Sequence, residues 1–277
     1  MRSWLVVAAL ITATAAVSAA PALADSTNSS NWAGYAVHKN GVSFRSVTGT
    51  WQQPNVHCTP GMPTYSAFWV GLGGYNLNAP ALEQTGTEVD CNAAGRTISS
   101  VWYELVPGPS VPVSFDVRPG DRIRASVKVY DRQVTIRLDD LTRHRGFHKT
   151  VFAPQIDVSS AEWIVEAPSE CVNAGSCQTL PLARFAPTRF RAASVSTISG
   201  HAGTISDRAW GWTRITLRPG GRRFSVHGPD PASAAAAHPS SLLKKGSAFA
   251  INYAEVPAVP PAKQARAAAL RPDTLFH

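Results

Sequence analysis

The chain has 277 residues, of which 44% are hydrophobic and only 16% are charged. This composition predicts a globular protein with enough apolar material for one large domain or two small ones. The 26 lysines and arginines outnumber the 18 aspartates and glutamates, but many arginines alternate with apolar residues, as on the solvent face of strands. The net charge of +8 therefore gives little support to nucleic-acid binding.

The first 24 residues have the pattern of a secretory signal peptide. Arg2 precedes an apolar stretch over residues 4–20, and the small-x-small ending at 22–24 predicts cleavage before Asp25. A membrane anchor is the rival interpretation, but no later segment approaches the roughly 20 apolar residues that span a bilayer. We therefore predict a secreted, extracellular protein that is not held in a membrane.

Short runs of alternating apolar and polar residues follow along the chain. The run 121–130 has a period of two, which is typical of a half-buried antiparallel strand, and the run 133–138 repeats it after a polar pair, which predicts a hairpin. Similar runs lie at 113–117, 212–217, 223–226 and 248–256. Pro-Gly turn signals separate the runs, and helical periodicity is almost absent. The pattern predicts an all-β sandwich or barrel.

Two segments depart from this pattern. Residues 231–241 (PASAAAAHPSS) predict a surface loop or a single helical turn. Residues 257–277 are rich in Ala, Pro and basic residues, which predicts a mostly disordered tail with a short helix over 264–270. No internal repeat and no strong boundary divides the rest, so we predict one domain over residues 25–256.

Four cysteines remain in the predicted exported chain, and an even number in an oxidising compartment indicates disulfides. Cys171 and Cys177 flank the short, turn-rich sequence VNAGS, so we predict that they pair with each other. This leaves Cys58 to pair with Cys91. No Cys-x-x-Cys motif occurs, which argues against a zinc ribbon or a redox site.

Two common hydrolase arrangements are missing from the sequence. It contains no Gly-x-Ser-x-Gly nucleophile elbow and no His-Glu-x-x-His zinc motif. His144 and His148 have helix-like spacing, but they lie in an Arg-rich polar stretch that predicts a solvated loop. We therefore expect neither a serine hydrolase nor a zinc hydrolase, and no metal or cofactor.

Tryptophan, glycine and isolated polar residues cluster in five short stretches. These are SSNWAGYAV (29–37), AFWVGLGG (67–74), LEQTGTE (82–88), VWYELVPG (101–108) and WIVEAP (163–168). Each alone has a simpler explanation, because tryptophans commonly fill a core and lone polar residues commonly lie on the surface. In this order, and followed by a small cysteine loop, the set resembles the glutamic peptidases, or eqolisins. The resemblance covers most of the chain after the signal peptide.

The resemblance implies a sandwich of two curved antiparallel sheets, of the concanavalin-like jelly-roll type, whose concave face binds the substrate. It also implies that Gln84 in LEQTG and Glu166 in WIVEAP form the catalytic pair. Peptide hydrolysis needs a base for water, a donor for the oxyanion and an acid for the leaving amine, and a carboxylate with a neutral amide can supply all three. The positions that match the lining of the family's cleft, and are predicted to bind substrate, are Trp32, Trp69, Trp102 and Glu104.

The sequence departs from the fungal members of the family in three respects. Gly73 and Ser100 stand where those members have aspartates, which predicts a less acidic cleft. Little chain lies between the predicted cleavage site and Asn31, which leaves no room for the usual propeptide. The chain is also basic where those members are acidic. We therefore expect a bacterial-type member that works in mildly acidic conditions on unfolded or extended polypeptides, as a monomer.

Two alternatives stay open at this stage. A secreted β-sandwich with tryptophans on a concave face is also typical of a carbohydrate-binding or lectin-like protein. A glycoside hydrolase would use Glu104 and Glu166 as paired carboxylates. Only the peptidase needs the Gln84 amide, so this residue separates the three hypotheses.

Overall fold

The computed structural model describes residues 24–76, 78–173, 176–224 and 235–256. The predicted tail and all but the last residue of the predicted signal peptide lie outside the described residues. The described chain forms twenty strands: β1 (Ala24–Ser29), β2 (Trp32–His38), β3 (Phe44–Gln52), β4 (Val56–His57), β5 (Ala67–Gly73), β6 (Leu82–Cys91), β7 (Thr97–Val106), β8 (Val111–Val113), β9 (Arg122–Tyr130), β10 (Gln133–Asp140), β11 (Arg145–Phe152), β12 (Ser160–Glu166), β13 (Ser169–Asn173), β14 (Ser176–Thr179), β15 (Arg184–Phe185), β16 (Thr188–Thr197), β17 (Ala202–Gly203), β18 (Gly211–Leu217), β19 (Ala235–Pro239) and β20 (Phe249–Glu255).

Sixteen of these strands belong to one hydrogen-bonded network. Its main path runs β11-β10-β9-β3-β16-β20-β19-β18-β2-β12-β5-β6-β7-β8, with β17 beside β16 and β1 beside β18. The pairing of β1 with β18 is parallel, and the other strand pairs are antiparallel. Two short pairs, β13–β14 and β15–β4, stand apart from this network. Among the described residues, no helix is long and apolar enough to cross a bilayer.

Strand β16 divides the network into the two sheets of a sandwich. Residues 188–190 pair with β20, whereas residues 191–197 pair with β3. The register shifts between Arg191 and Ser194, and Ala192 adopts a left-handed φ of 50° at the bend. The strand thereby passes from the first sheet (β20, β19, β18, β2, β12, β5, β6, β7 and β8) to the second (β3, β9, β10 and β11). This confirms the predicted all-β sandwich.

The core lies between the inner faces of the two sheets. Large apolar side chains from both sheets are buried there, since burial removes their surface from water. They include Tyr35, Phe68, Val70 and Trp163 from the first sheet and Phe44, Trp51, Val127 and Ile136 from the second. The alternation of β9 and β10 reflects this packing, because one face of each strand meets the core and the other meets solvent.

Most predicted strands are confirmed, with changes at their bounds. The predicted hairpin of β9 and β10 forms, and strands β18 and β20 occupy the predicted runs. The run 113–117 overlaps its strand only at Val113, because β8 ends there. Arg223 and Phe224 form no strand, and the rest of the run 223–226 lies outside the described residues.

Two predicted loops are strands in the structure. Within 231–241, residues 235–239 form the largely buried strand β19, because their backbone pairs with β18 on one side and β20 on the other. Alanine is a weak strand former, and tertiary pairing overrides that preference here. The Arg-rich stretch that contains His148 is strand β11 of the β10–β11 hairpin, and His144 lies in its turn. The loop prediction was therefore wrong for residues 235–239 and for His148, and correct for His144.

The predicted disulfide between Cys58 and Cys91 is confirmed, with a Cα–Cα distance of 5.3 Å. It ties the end of β6 to the segment after β4. Cys177 is also disulfide-bonded, and the backbone register of β13 and β14 sets Cys171 opposite Cys177. The side chain of Cys171 lies outside the described part of the structure, so its pairing with Cys177 stays a prediction.

Candidate active site

One face of strands β2, β12, β5, β6 and β7 turns away from the second sheet, and we call it the site face. Residues that lie opposite each other in register form rows across it. One row is Trp32, Glu166, Ala67, Glu88 and Ser100; the next is Gly34, Ile164, Trp69, Gly86 and Trp102; the third is Ala36, Glu162, Gly71, Gln84 and Glu104. All six residues predicted to form the site therefore lie on the same face of the sheet.

Glycine at the centre of these rows makes room for the tryptophan rings. Gly86 lies between Trp69 and Trp102 in register. A Cβ at Gly86 would come within 2.7 Å of the Trp69 Cβ and even closer to the carbonyl oxygen of Phe68. The two indole side chains can therefore stand on either side of Gly86 only because this residue has no side chain.

Glu166 ends β12, and hydrogen-bond donors surround its carboxylate. The Nε1–H of Trp69 donates to Oε2 at 2.8 Å, and the Nδ2–H of Asn31 donates to Oε1 at 3.3 Å. The indole N–H of Trp32 lies outside hydrogen-bond geometry but also stabilises the ionised carboxylate. Glu166 is thus held in one orientation on the site face, whereas the alternation along its own strand left its exposure undecided.

Burial, together with the charge of Glu104, raises the pKa of Glu166 to about 8. The N–H donors of Trp69, Trp32 and Asn31 oppose this shift, because they stabilise the ionised form. Burial likewise raises the pKa of Glu104 to about 7, against the hydrogen bond from Gln84. Two coupled carboxyl groups whose pKa values lie near neutrality are typical of acid–base catalysis.

Gln84 and Glu104 face each other directly on β6 and β7. The Nε2 of Gln84 donates to Oε2 of Glu104 at 2.7 Å, which orients the amide, since only its nitrogen can donate to a carboxylate. Gln84 Oε1 is buried and meets no hydrogen-bond partner. The amide nitrogen has a second N–H, which can donate a hydrogen bond to a substrate carbonyl oxygen.

Further carboxylates extend along the same face. Gly73 and Ser100 supply none, but the Oγ–H of Ser100 donates to Glu88 Oε2 at 2.9 Å. Asp90 lies two residues farther along β6, and burial together with the charge of Glu88 raises its pKa to about 7. The site face is therefore acidic through Glu88 and Asp90, although aspartate is missing at the two positions where the fungal members have it.

Asn31 is a site residue that sequence reasoning did not single out. Its Nδ2 donates both to Glu166 and to the carbonyl of Phe224, and its Oδ1 accepts from the backbone N–H of Phe224 at 3.0 Å. Ser29 fixes the turn before it, since its Oγ accepts from the backbone N–H groups of Asn31 and Trp32. Asn31 could have been found from the sequence as the first residue of the N-W-x-G motif.

Comparisons with known proteins identify the family of the chain and its fold. The model of the Peptidase A4 family matches residues 30–220. A crystal structure of scytalido-glutamic peptidase with a transition-state analogue inhibitor superposes with a TM-score of 0.63 at 24% identity, covering 81% of this chain and 98% of that one. SCP-B, a member of the eqolisin family of peptidases in a complex with the tripeptide Ala-Ile-His, gives 0.61 at 22% identity, with coverage of 81% and 98%.

Aspergilloglutamic peptidase from Aspergillus niger gives a TM-score of 0.52 at 23% identity, covering 69% of this chain and 99% of that one. No curated protein sequence matches the chain. Since the family model spans more than half of its length, the chain belongs to the Peptidase A4 family, the eqolisins. It is accordingly a hydrolase of peptide bonds, an endopeptidase of the glutamic type.

Proposed function

We propose that this peptidase hydrolyses extended polypeptides with water that Glu166 activates, while the Gln84 amide stabilises the oxyanion. The observation that carries the proposal is the arrangement on the site face. A carboxylate held by N–H donors on β12 and an amide held by a second carboxylate on β6 lie on one buried face, with only β5 between their strands. The catalytic roles come from the family resemblance, and the contacts of both side chains support them.

Glu166 acts twice in this mechanism. Its carboxylate takes a proton from water, and the oxygen attacks the scissile carbonyl carbon to form a tetrahedral intermediate. The free N–H of Gln84 donates to the oxyanion. Glu166 then returns the proton to the amide nitrogen as the C–N bond breaks, which releases a carboxylic acid and an amine. No acyl-enzyme forms.

The neighbouring residues position these two groups. Glu104 fixes the orientation of the Gln84 amide through the hydrogen bond at 2.7 Å. The tryptophans at 32, 69 and 102 are almost completely buried and form an apolar wall that excludes water from the acid–base pair. The three rings have almost no exposed surface, so their predicted contact with substrate stays a prediction.

The raised pKa of Glu166 predicts how the rate depends on pH. The mechanism needs ionised Glu166, so the rate rises as pH increases through the pKa of that group, near 8 in the free enzyme. The sequence predicted a mildly acidic optimum instead. The two expectations differ, and the pH profile of kcat/KM decides between them.

The acid limb is the range over which kcat/KM rises with pH as Glu166 ionises. Two substitutions should move this acid limb in opposite directions. Glu104→Gln removes a negative charge that raises the pKa of Glu166, so the limb should move to lower pH. Trp69→Phe removes the hydrogen bond that stabilises the Glu166 carboxylate, so the limb should move to higher pH. Profiles of kcat/KM for both variants and the wild type test this. Shifts in the same direction would contradict the electrostatic coupling.

The peptidase function itself is tested with the purified chain on a denatured protein and on a panel of polysaccharides, from pH 2 to 8. We expect new peptide amino termini and no released sugar. A glycoside hydrolase would release sugar and tolerate loss of the Gln84 amide, and a binding module would show no turnover. Release of sugar, or intact protein at every pH, would refute the proposal.

Export through a signal peptide over residues 1–24 and a single peptidase domain over 25–256 also belong to the proposal. A disulfide between Cys58 and Cys91 is compatible with an oxidising compartment. Strand β1 begins at Ala24, next to the predicted cleavage site, and pairs with β18.

A further inference from the structure

Arg222 lies near Trp32, at one end of the apolar wall of tryptophans, and the proposed mechanism does not use it. The rings of Trp32 and Phe224 stack in parallel, with centroids 4.7 Å apart and an interplanar angle of 6°. The guanidinium carbon of Arg222 lies 4.2 Å from the Phe224 centroid. Because Trp32 covers one face of Phe224, the guanidinium lies over the other face. Trp32, Phe224 and Arg222 therefore form one continuous stack.

The backbone holds this stack beside the catalytic carboxylate. The N–H of Arg222 donates to the carbonyl of Asn28, and its carbonyl accepts from the N–H of Ser30. Two residues later, Phe224 is bonded to the Asn31 side chain that also contacts Glu166. The turn that orients Glu166 thus also sets the position of Arg222.

The charge of Arg222 is incompletely satisfied. Its Nη2 donates to the carbonyl of Tyr75, but its Nε–H is buried and meets no acceptor. Within the described ranges, no carboxylate lies within 4.0 Å of its nitrogens. Burial lowers its pKa, since the charged form loses hydration without a counterion. A half-buried cation of this kind favours an anionic partner.

We propose that Arg222 is a specificity-determining residue that binds an acidic side chain, Asp or Glu, of the polypeptide substrate. Guanidinium groups bind carboxylates through paired hydrogen bonds, and the part-exposed group of Arg222 lies at the end of the stack that begins at Trp32, opposite Glu166 on the neighbouring strand. The ring spacings set it roughly three residues of extended chain, at ~3.3 Å each, from the tryptophan beside Glu166. This inference rests on the proposed function.

The opposite end of the site face gives this subsite a direction. Glu88 lies on β6 in the same row as Trp32 and Glu166, so Glu166 stands between Glu88 and the stack that holds Arg222. When ionised, Glu88 and the nearby Asp90 repel an acidic side chain. An acidic residue should therefore be favoured on one side of the scissile bond only.

The test is a set of neutral eight-residue peptides, amidated and acetylated at their ends, in which Glu replaces Gln at each position in turn. For the wild type we expect kcat/KM to rise about tenfold or more at one position, roughly two to four residues from the cleaved bond. Arg222→Met should abolish the preference, and Arg222→Lys should keep part of it, because the charge remains without the planar fork. Arg218→Met, at an exposed arginine of the same segment, is the matched control and should leave the preference unchanged.

Three results would overturn the proposal in distinguishable ways. Equal cleavage of Glu and Gln peptides by the wild type would refute the subsite alone. An undiminished preference in Arg222→Met would assign it to another residue; if that variant does not fold, an undiminished preference in Arg222→Lys does the same. Failure to cleave any peptide would refute the proposed function together with the subsite.

Discussion

Glu166→Gln should reduce the cleavage of an unfolded protein by about 10⁴-fold or more, because the amide can neither take a proton from water nor return one to the leaving amine. Loss of one acid–base group typically costs about 10²- to 10⁴-fold, and Glu166 serves in both steps. The measurement is kcat/KM over the whole pH range. Glu162→Gln is the matched control, since Glu162 lies on the same strand and face and should not be required.

The same variant should fold normally. The folded-state pKa of Glu166 is raised, so the carboxyl adds stability at pH values below its unfolded pKa and loses that contribution as pH rises through about 8. Glu166→Gln has no carboxyl group to ionise and so avoids this loss of stability. Its melting temperature at pH 8 should therefore equal or exceed that of the wild type. Inactivity together with a lower melting temperature at pH 8 would indicate a structural role instead.

Isotope labelling separates direct water attack from covalent catalysis at the same residue. If Glu166 only activates water, turnover in ¹⁸O-labelled water puts the label into the new carboxyl terminus of the product. A covalent acyl-enzyme on Glu166 can also label the product, but when water opens that anhydride at the Glu166 carbonyl the label stays in the Glu166 carboxylate. Mass spectrometry of the peptide that contains Glu166 should find it unlabelled.

Gln84→Ala should lower kcat by about 10²- to 10³-fold and change KM little, because removal of one oxyanion donor affects the transition state more than the bound substrate. The amide is nearly buried, and its hydrogen bond of 2.7 Å to Glu104 fixes its position. Alanine has no N–H to donate in its place. Steady-state kinetics on a short peptide measure this. Gln52→Ala, at an exposed residue of β3, should match the wild type. A loss that lies wholly in KM would contradict the assigned role.

Much of the fold could be predicted from local patterns. A period of two in β9 and β10 indicates strands because one face of each packs on the core. The wrong prediction at residues 235–239 shows the limit of this approach. Alanine has a weak preference for strands, and this segment is a strand because its backbone pairs with both β18 and β20.

The sequence by itself determined the strand-rich architecture, the Cys58–Cys91 pair by exclusion, and the set of residues on the site face through an ordered group of motifs. It could not determine the environment of Glu166, because β12 is buried on both faces and its residue pattern does not distinguish the core face from the site face. Only the tertiary structure decided this, since contacts with Asn31, Trp69 and Glu104 come from segments distant in the chain. The same holds for Arg222, whose neighbours Phe224, Trp32 and Tyr75 meet only once the strands have paired.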